Sequence, residues 1–507
     1  MKYQGQFGNV ITYGLLAAVV TVWCGISTKR VQAIESSRRA AVASTGQGPE
    51  FDVSDADSFI IERMKAADIV GLSVGVMRDG HVVYAKSFGR SSLIPNSTVG
   101  PNTMFAVGSV TKQFTSACIL LLQEDGKLSV NDKVSKYYPN LTSADQTTLL
   151  DLMSMQSGYP DYYPLDFVDR RMARPIAPDK LIHDYATGKL DFPPRTRWSY
   201  SNTGYIILGR IVEKVSGESF GSFVSSRIFQ PLQMEHTEYQ PSRTEKGLAK
   251  GYTSFATGPQ EPAIPEATGW AATAGGIYST PSDLLKWDRA LMDGKVLKPE
   301  SYELMTTSRK LADGGETNYG CGQGVRDIHG VRLLSHGGAV SGFIAQNTLI
   351  PSSHSAVVIL SNCESSDGIS AINVKLVSGL MPSPREGSSG EESQKPQPEK
   401  RSDIPTISGP PAGEAAKEFL HQLQTGKVAR FELGVEYNYF LTLAKVRGAM
   451  DRLGRYGDPT GVQVTATAER GGMEVAVVRF TFKSEALQGI MYRTPDGKIQ
   501  EFLLEQQ

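Results

Sequence analysis

A chain of 507 residues, 40% hydrophobic and 21% charged, has enough apolar material for more than one core, so two domains plus extra segments are expected. Its 52 Lys and Arg residues offset 53 Asp and Glu, leaving a net charge of −1. That balance shows no basic excess that would suggest nucleic acid, and no acidic tail suggests a solvating segment. The cysteines, Cys24, Cys118, Cys321 and Cys363, imply no disulfide framework and have no metal-ligand spacing, so neither a metal nor a cofactor is expected.

Lys2 precedes an apolar run over residues 10–26, and Val31-Gln32-Ala33 then supplies small residues suited to cleavage. Residues 1–33 therefore read as an export signal, either cleaved or retained as a membrane tether through residues 10–26. The expected location is periplasmic, extracellular or membrane-anchored. Residues 34–50 form a spacer. Residues 52–67 predict a helix with Phe59, Ile60 and Met64 on one face. Apolar runs at 71–77 and 82–88 flank Asp79-Gly80, a hairpin signal. A helix is predicted to open at Ser109 and to end at Asp125-Gly126. Further helices are expected at 148–155, 202–215 and 218–229. Another is expected after Thr280-Pro281-Ser282-Asp283, which offers a cap, a first-position proline and a first-turn acid. Strands are predicted at 333–335, 343–350 and 355–361, and a closing helix at 367–381.

Composition then changes. Residues 382–411 are rich in Pro, Ser, Gly, Glu and Lys and read as a flexible linker. The tail, residues 412–507, predicts a helix at 413–425 and strands at 462–468, 473–482 and 499–504. The layout is a leader, a mixed α/β body over 51–381, a linker and a small α+β accessory domain. With such a linker, body and tail are expected to fold as independent cores.

Three short strings carry chemistry. In Gly108-Ser109-Val110-Thr111-Lys112, serine and lysine lie three apart, on one face of a helix. A serine hydroxyl needs such a neighbour to become a nucleophile, and a helix N-terminus favours the alkoxide. In Tyr200-Ser201-Asn202, a tyrosine beside a lysine can share proton transfer, and Asn202 both donates and accepts. In His336-Gly337-Gly338-Ala339, small residues at a strand edge let substrate approach the backbone. The Ala339 and Ser109 amides could there form an oxyanion hole. Each string has a bland reading: chance spacing, a helix cap at Asn202, an ordinary polar histidine. Tyr138-Pro139-Asn140 and His329-Gly330 are incomplete rivals of the second and third strings. Glu432, Glu436 and His421 in the tail read as a solvated face rather than a site.

The three strings in this order resemble the serine β-lactamase and penicillin-binding family, whose first motif is S-x-x-K. The closer likeness is to its class C-like branch of β-lactamases, D-alanyl-D-alanine carboxypeptidases, D-aminopeptidases and carboxylesterases. Gly71-Leu72-Ser73-Val74, Ser157-Gly158-Tyr159 and the stretch 274–280 add support over roughly residues 53–380. The resemblance implies a three-layer α/β/α sandwich with an antiparallel sheet, beside a helical subdomain. It implies an exported serine hydrolase acting through an acyl-enzyme on an ester, peptide or amide. Ser109 would be the nucleophile, with Lys112 and Tyr200 in proton transfer and Asn202 orienting the substrate. His336 stands where the branch has its third-motif cation. Gly337 replaces a threonine whose hydroxyl binds the substrate carboxylate in β-lactam-recognising members, and His336 replaces lysine. Both changes point away from efficient β-lactam hydrolysis. The competing expectation is a non-catalytic cell-wall or penicillin-binding sensor that keeps the fold. The tail loosely resembles the nuclear-transport-factor-like fold.

Overall fold

The computed structural model of the protein describes residues 51–242, 246–381 and 404–506. The expected signal or tether, the spacer and most of the linker lie outside those residues. In chain order the body comprises α1 (Val53–Ala66), β1 (Gly71–Arg78), β2 (His81–Ser92), α2 (Thr111–Glu124), α3 (Asn202–Ser216), α4 (Pro281–Met292), β3 (Gly324–Ile328), β4 (Val331–Val340), β5 (Phe343–Ile350), β6 (Ser355–Ser361) and α5 (Ser366–Leu380), with shorter pieces between.

Asp79 and Gly80 take φ values of 50° and 74°, the left-handed pair a two-residue hairpin needs to match the twist of its strands. The hairpin places β2 beside β1 in an antiparallel sheet. Its order is the short Ser97–Thr98 strand, then β2, β1, β6, β5, β4 and β3. β5 and β6 are buried along their whole length, because helices cover both faces at the sheet centre. On one face Ile60 of α1 and Ile372 of α5 pack against Leu72, Val74 and Ile359. On the other lies α4, started by the Thr280 hydroxyl, which accepts from the Asp283 amide at 3.3 Å. Gly75 lets α4 settle closely: a Cβ there would stand 2.9 Å from Leu285 Cδ1. Each buried aliphatic side chain contributes about 1.5–3 kcal/mol, against about 0–1 for an exposed ion pair. The apolar layers therefore hold the helices on the sheet. The three-layer sandwich is as the resemblance implies. The helical subdomain is there too: α2 and α3 bury Phe114, Ile119, Leu122, Ile207 and Ile211 in one cluster.

The tail comprises α6 (Ala412–Thr425), α7 (Val435–Phe440), α8 (Leu443–Leu453) and an antiparallel meander. Its strands are β7 (Gly461–Arg470), β8 (Met473–Thr481), β9 (Ala486–Arg493) and β10 (Ile499–Gln506), in that spatial order. The alternation in β8 sends Ala476, Val478 and Phe480 towards α6 and α8, and Val475 and Val477 to the opposite face. That opposite face packs on Leu165 of the body, and Phe167 and Ala256 of the body complete the first tail cluster. The two cores therefore share a packed seam, a contact that the expectation of independent cores did not include. A linker's composition reports on the linker and carries no signal of the surfaces it joins. The end of the linker range is also tied down: the Ser408 amide donates to Pro495 O at 2.9 Å, and Arg493 Nη1 to Pro410 O at 2.7 Å.

Candidate active site

A short strand, Phe105–Ala106, pairs with Ile277–Ser279, and the Val107 amide donates to Ile277 O at 2.9 Å. This anchors the tight turn Gly108–Val110, from which α2 begins at Thr111. Ser109 therefore sits in a 3₁₀ turn just before the helix it was expected to open. Lys112 follows in the first turn of α2 and is wholly buried. Its Nζ lies 2.9 Å from Ser109 Oγ and donates to Asn202 Oδ1 at 2.7 Å and Ala274 O at 2.8 Å. Asn202 is the first residue of α3, and Ala274 lies in the short helix Ala272–Gly275. Three segments far apart in sequence thus meet at one amine. Burial holds that amine well below its ordinary value; Asp161 opposes the shift and Arg470 adds to it.

The Tyr200 ring lies beside the amine, with Lys112 Nζ 4.9 Å from its centroid. Burial pushes the phenol upward, so it is protonated, while the nearby Ser109 hydroxyl and Arg470 pull the other way. The Tyr200 Oη is buried and meets no partner in hydrogen-bond geometry.

β3 pairs with β4 only as far as Ser335, so from His336 onward that edge is open to the Ser109 turn. A Cβ at Gly338 would stand 2.0 Å from Val107 O, and one at Gly108, where φ is +50°, 2.8 Å from Ala339 N. Glycine at both positions lets strand and turn touch. This brings the Ser109 and Ala339 backbones together, the place for a shared oxyanion site. Beside it, His336 Nδ1 contacts Gly337 O, and Nε2 lies 3.0 Å from the Tyr319 hydroxyl. A carbonyl only accepts, so Nδ1 carries the proton and Tyr319 donates to Nε2. Burial, helped by Lys112, pushes the imidazole down to about 3. His336 occupies the third-motif position without a charge.

The sequence reading missed Asp161. Its Oδ1 accepts from the Asn202 amide at 3.1 Å, Asn202 Nδ2 at 2.9 Å and the Tyr163 amide at 3.2 Å. Only its place two residues beyond Ser157-Gly158-Tyr159 could have marked it. The rivals lie elsewhere. Tyr138 donates to Asp179 Oδ1 beneath Lys214, and His329 occupies the β3–β4 turn. Glu436 pairs with Arg170 at 2.7 Å, Glu432 accepts from Gln422, and His421 faces Asp458, so the tail trio forms no cluster.

Residues 56–377 match the family model described as beta-lactamase. A penicillin-binding protein of Bacillus subtilis, PbpX, is 30% identical over 384 residues, 72% of this chain and 93% of its own. A D-aminopeptidase of Brucella anthropi is 27% identical over 65% of this chain; the match spans 62% of that relative's length. Among solved structures, a D-stereospecific amidohydrolase from Streptomyces has a TM-score of 0.55 at 24% identity, covering 63% of this chain and 98% of its own.

Proposed function

The chain belongs to the beta-lactamase family, and on that premise we propose that it hydrolyses small esters and amides, D-aminoacyl amides among them, through an acyl-enzyme on Ser109. One observation carries the reading: a buried lysine amine with Ser109 Oγ, Asn202 Oδ1 and Ala274 O as its three partners. Burial favours the neutral amine, which has two N–H groups and one lone pair. Asn202 and Ala274 take the two hydrogens, and the lone pair faces the Ser109 hydroxyl. Lys112 then accepts the Ser109 proton as Oγ attacks the substrate carbonyl. The Ser109 and Ala339 amides hold the oxyanion. The Tyr200 phenol, its Oη free of protein partners, passes a proton to the leaving oxygen or nitrogen as that atom's bond to the carbonyl carbon breaks. Water then attacks the ester, and its proton returns through the same pair. D-configured acyl groups are proposed from the activities named for the D-aminopeptidase and the amidohydrolase. Export is proposed from the apolar run at 10–26.

The test is Ser109→Ala with fluorophosphonate labelling. Wild-type protein should label at Ser109 and turn over p-nitrophenyl acetate; the variant should lose both by several powers of ten while keeping its melting temperature. Near-normal turnover in the variant overturns the assignment. β-Lactams should be poor substrates, because neutral His336 and Gly337 leave the third motif with neither cation nor hydroxyl for a carboxylate. A chromogenic cephalosporin with a kcat/KM equal to that of the best ester would contradict this.

A further inference from the structure

The β7–β8 hairpin of the tail carries Arg470, whose side chain is buried between tail and body. Its Nη2 donates to Tyr163 O at 3.0 Å, and its Nη1 reaches Asp166 Oδ1 at 3.2 Å and the Tyr492 hydroxyl at 3.3 Å. Tyr492 in turn donates to Asp166 Oδ2 at 2.6 Å. The tail thus grips the body segment 163–166 with a guanidinium and a phenol, and Gly471 packs on Pro164 beside them.

That segment is continuous with the active site. The Tyr163 amide donates to Asp161 Oδ1; the same oxygen holds the Asn202 amide and side chain; Asn202 Oδ1 holds Lys112; and Lys112 meets Ser109. The hydrogen bonds run unbroken from Arg470 through Tyr163, Asp161, Asn202 and Lys112 to the nucleophile. A second branch leaves the same residue: the Tyr163 hydroxyl donates to Glu266 Oε1 at 2.7 Å, which also accepts from the Ser341 amide at 2.9 Å, just past the end of β4. One loop therefore braces both the lysine pocket and the strand that carries Gly338 and Ala339.

We propose that Arg470 is a positioning residue supplied by the tail, which fixes the Tyr163–Asp166 segment and through Asp161 and Asn202 fixes the Lys112 amine against Ser109. This rests on the acyl-enzyme reading above. The arginine never touches substrate; it acts through the loop and as a fixed buried cation. The titratable and charged groups facing or acting on Lys112 are Asp161 from the loop, Tyr200 just before α3, Tyr205 in its first turn, His336 from β4 and, as a charge, Arg470 from the tail. Of these, Asp161 and Arg470 act on the amine in opposite directions. Removing the arginine leaves Asp161 unopposed and favours the ammonium.

The experiment uses the full chain with Arg470→Gln, p-nitrophenyl acetate and D-alanine p-nitroanilide as substrates, and melting temperature as the folding control. The expected result is a loss in kcat of about 10- to 100-fold with KM within about threefold, since the change displaces the proton acceptor and not the binding surface. The rising limb of kcat/KM against pH should move up by about half a pH unit. A folded variant with wild-type kcat and an unmoved limb overturns the proposal. So does a kcat that falls with an unmoved limb, because a merely structural arginine would do that. Should Arg470→Gln not fold, Asp166→Asn loosens the same guanidinium without emptying the seam. A lowered kcat with unchanged KM and a moved pH limb then supports the proposal, and wild-type kcat or an unmoved limb overturns it. Fluorophosphonate labelling of the wild type separates the two readings: if Ser109 does not label, the acyl-enzyme reading fails before Arg470 is tested.

Discussion

Lys112 has three polar partners within 3 Å and is wholly buried. Its neighbours therefore decide whether it holds two hydrogens or three. In the proposed cycle Lys112 and Tyr200 act on one acyl transfer at Ser109, so their losses should not add: a Lys112→Ala, Tyr200→Phe double variant should be no slower than the slower single one, measured as kcat/KM on one ester. Losses that multiply would separate the two roles. The motif residues Ser109, Lys112, Tyr200 and Asn202 were legible because a short fixed spacing or a familiar string marks each of them. Asp161 was not. It reaches Asn202 across an irregular loop, and no periodicity relates a loop carboxylate to the helix it serves. Arg470 was not legible either, because burial of a guanidinium against another domain leaves no mark in local sequence.

Strand β4 and the Ser109 turn fit only because two glycines face each other. Gly338→Ala places a methyl 2.0 Å from Val107 O, so the strand must move away from the turn. A displacement near 1 Å at the oxyanion site should lower kcat by about 100-fold, with the ester KM little changed. A second element-scale expectation concerns α4, where Asp288 is fully buried and accepts from Asn347 Nδ2 at 2.8 Å. Burial raises its carboxyl to about 8. A raised acid adds most stability below its unfolded value near 4 and loses that stability as pH rises through 8. The melting temperature should therefore fall from pH 5 to pH 9, and Asp288→Asn should flatten that fall by about 2–4 °C. Equal slopes in both proteins would remove Asp288 as the cause. The hairpin at Asp79-Gly80, the α4 start and the apolar strands β5 and β6 were plain in the sequence, since turn chemistry, a cap and β-rich runs are local signals. β9 was not: Ala486–Arg493 is buried at nearly every position and has Gly489 at its centre, so it shows no alternation. Its glycine is a packing need, because a Cβ there would lie 2.7 Å from the Phe480 ring.

Body and tail share apolar surface as well as the arginine. Leu165, Phe167 and Phe255 pack into tail clusters, and Arg452 of α8 donates to Phe255 O at 2.7 Å and Ala256 O at 3.1 Å. A chain ending at Met381 uncovers these side chains. It should bind a hydrophobic dye strongly, self-associate in light scattering, and turn over p-nitrophenyl acetate at least about 100-fold more slowly than the full chain. A monomeric, fully active body would show that the seam is incidental. Tyr163 enters the hydrogen-bond path by its peptide N–H and C=O, and only its hydroxyl serves the branch to Glu266. For the main path, nearly any side chain at position 163 suffices and proline alone, which has no N–H, cuts it, while the buried ring and the hydroxyl still serve the core and the Glu266 branch. In a set of descendants of this chain, position 163 should vary only among side chains that fill the same buried space while positions 161 and 470 change together or not at all, so heredity would preserve a link whose middle residue enters by its backbone.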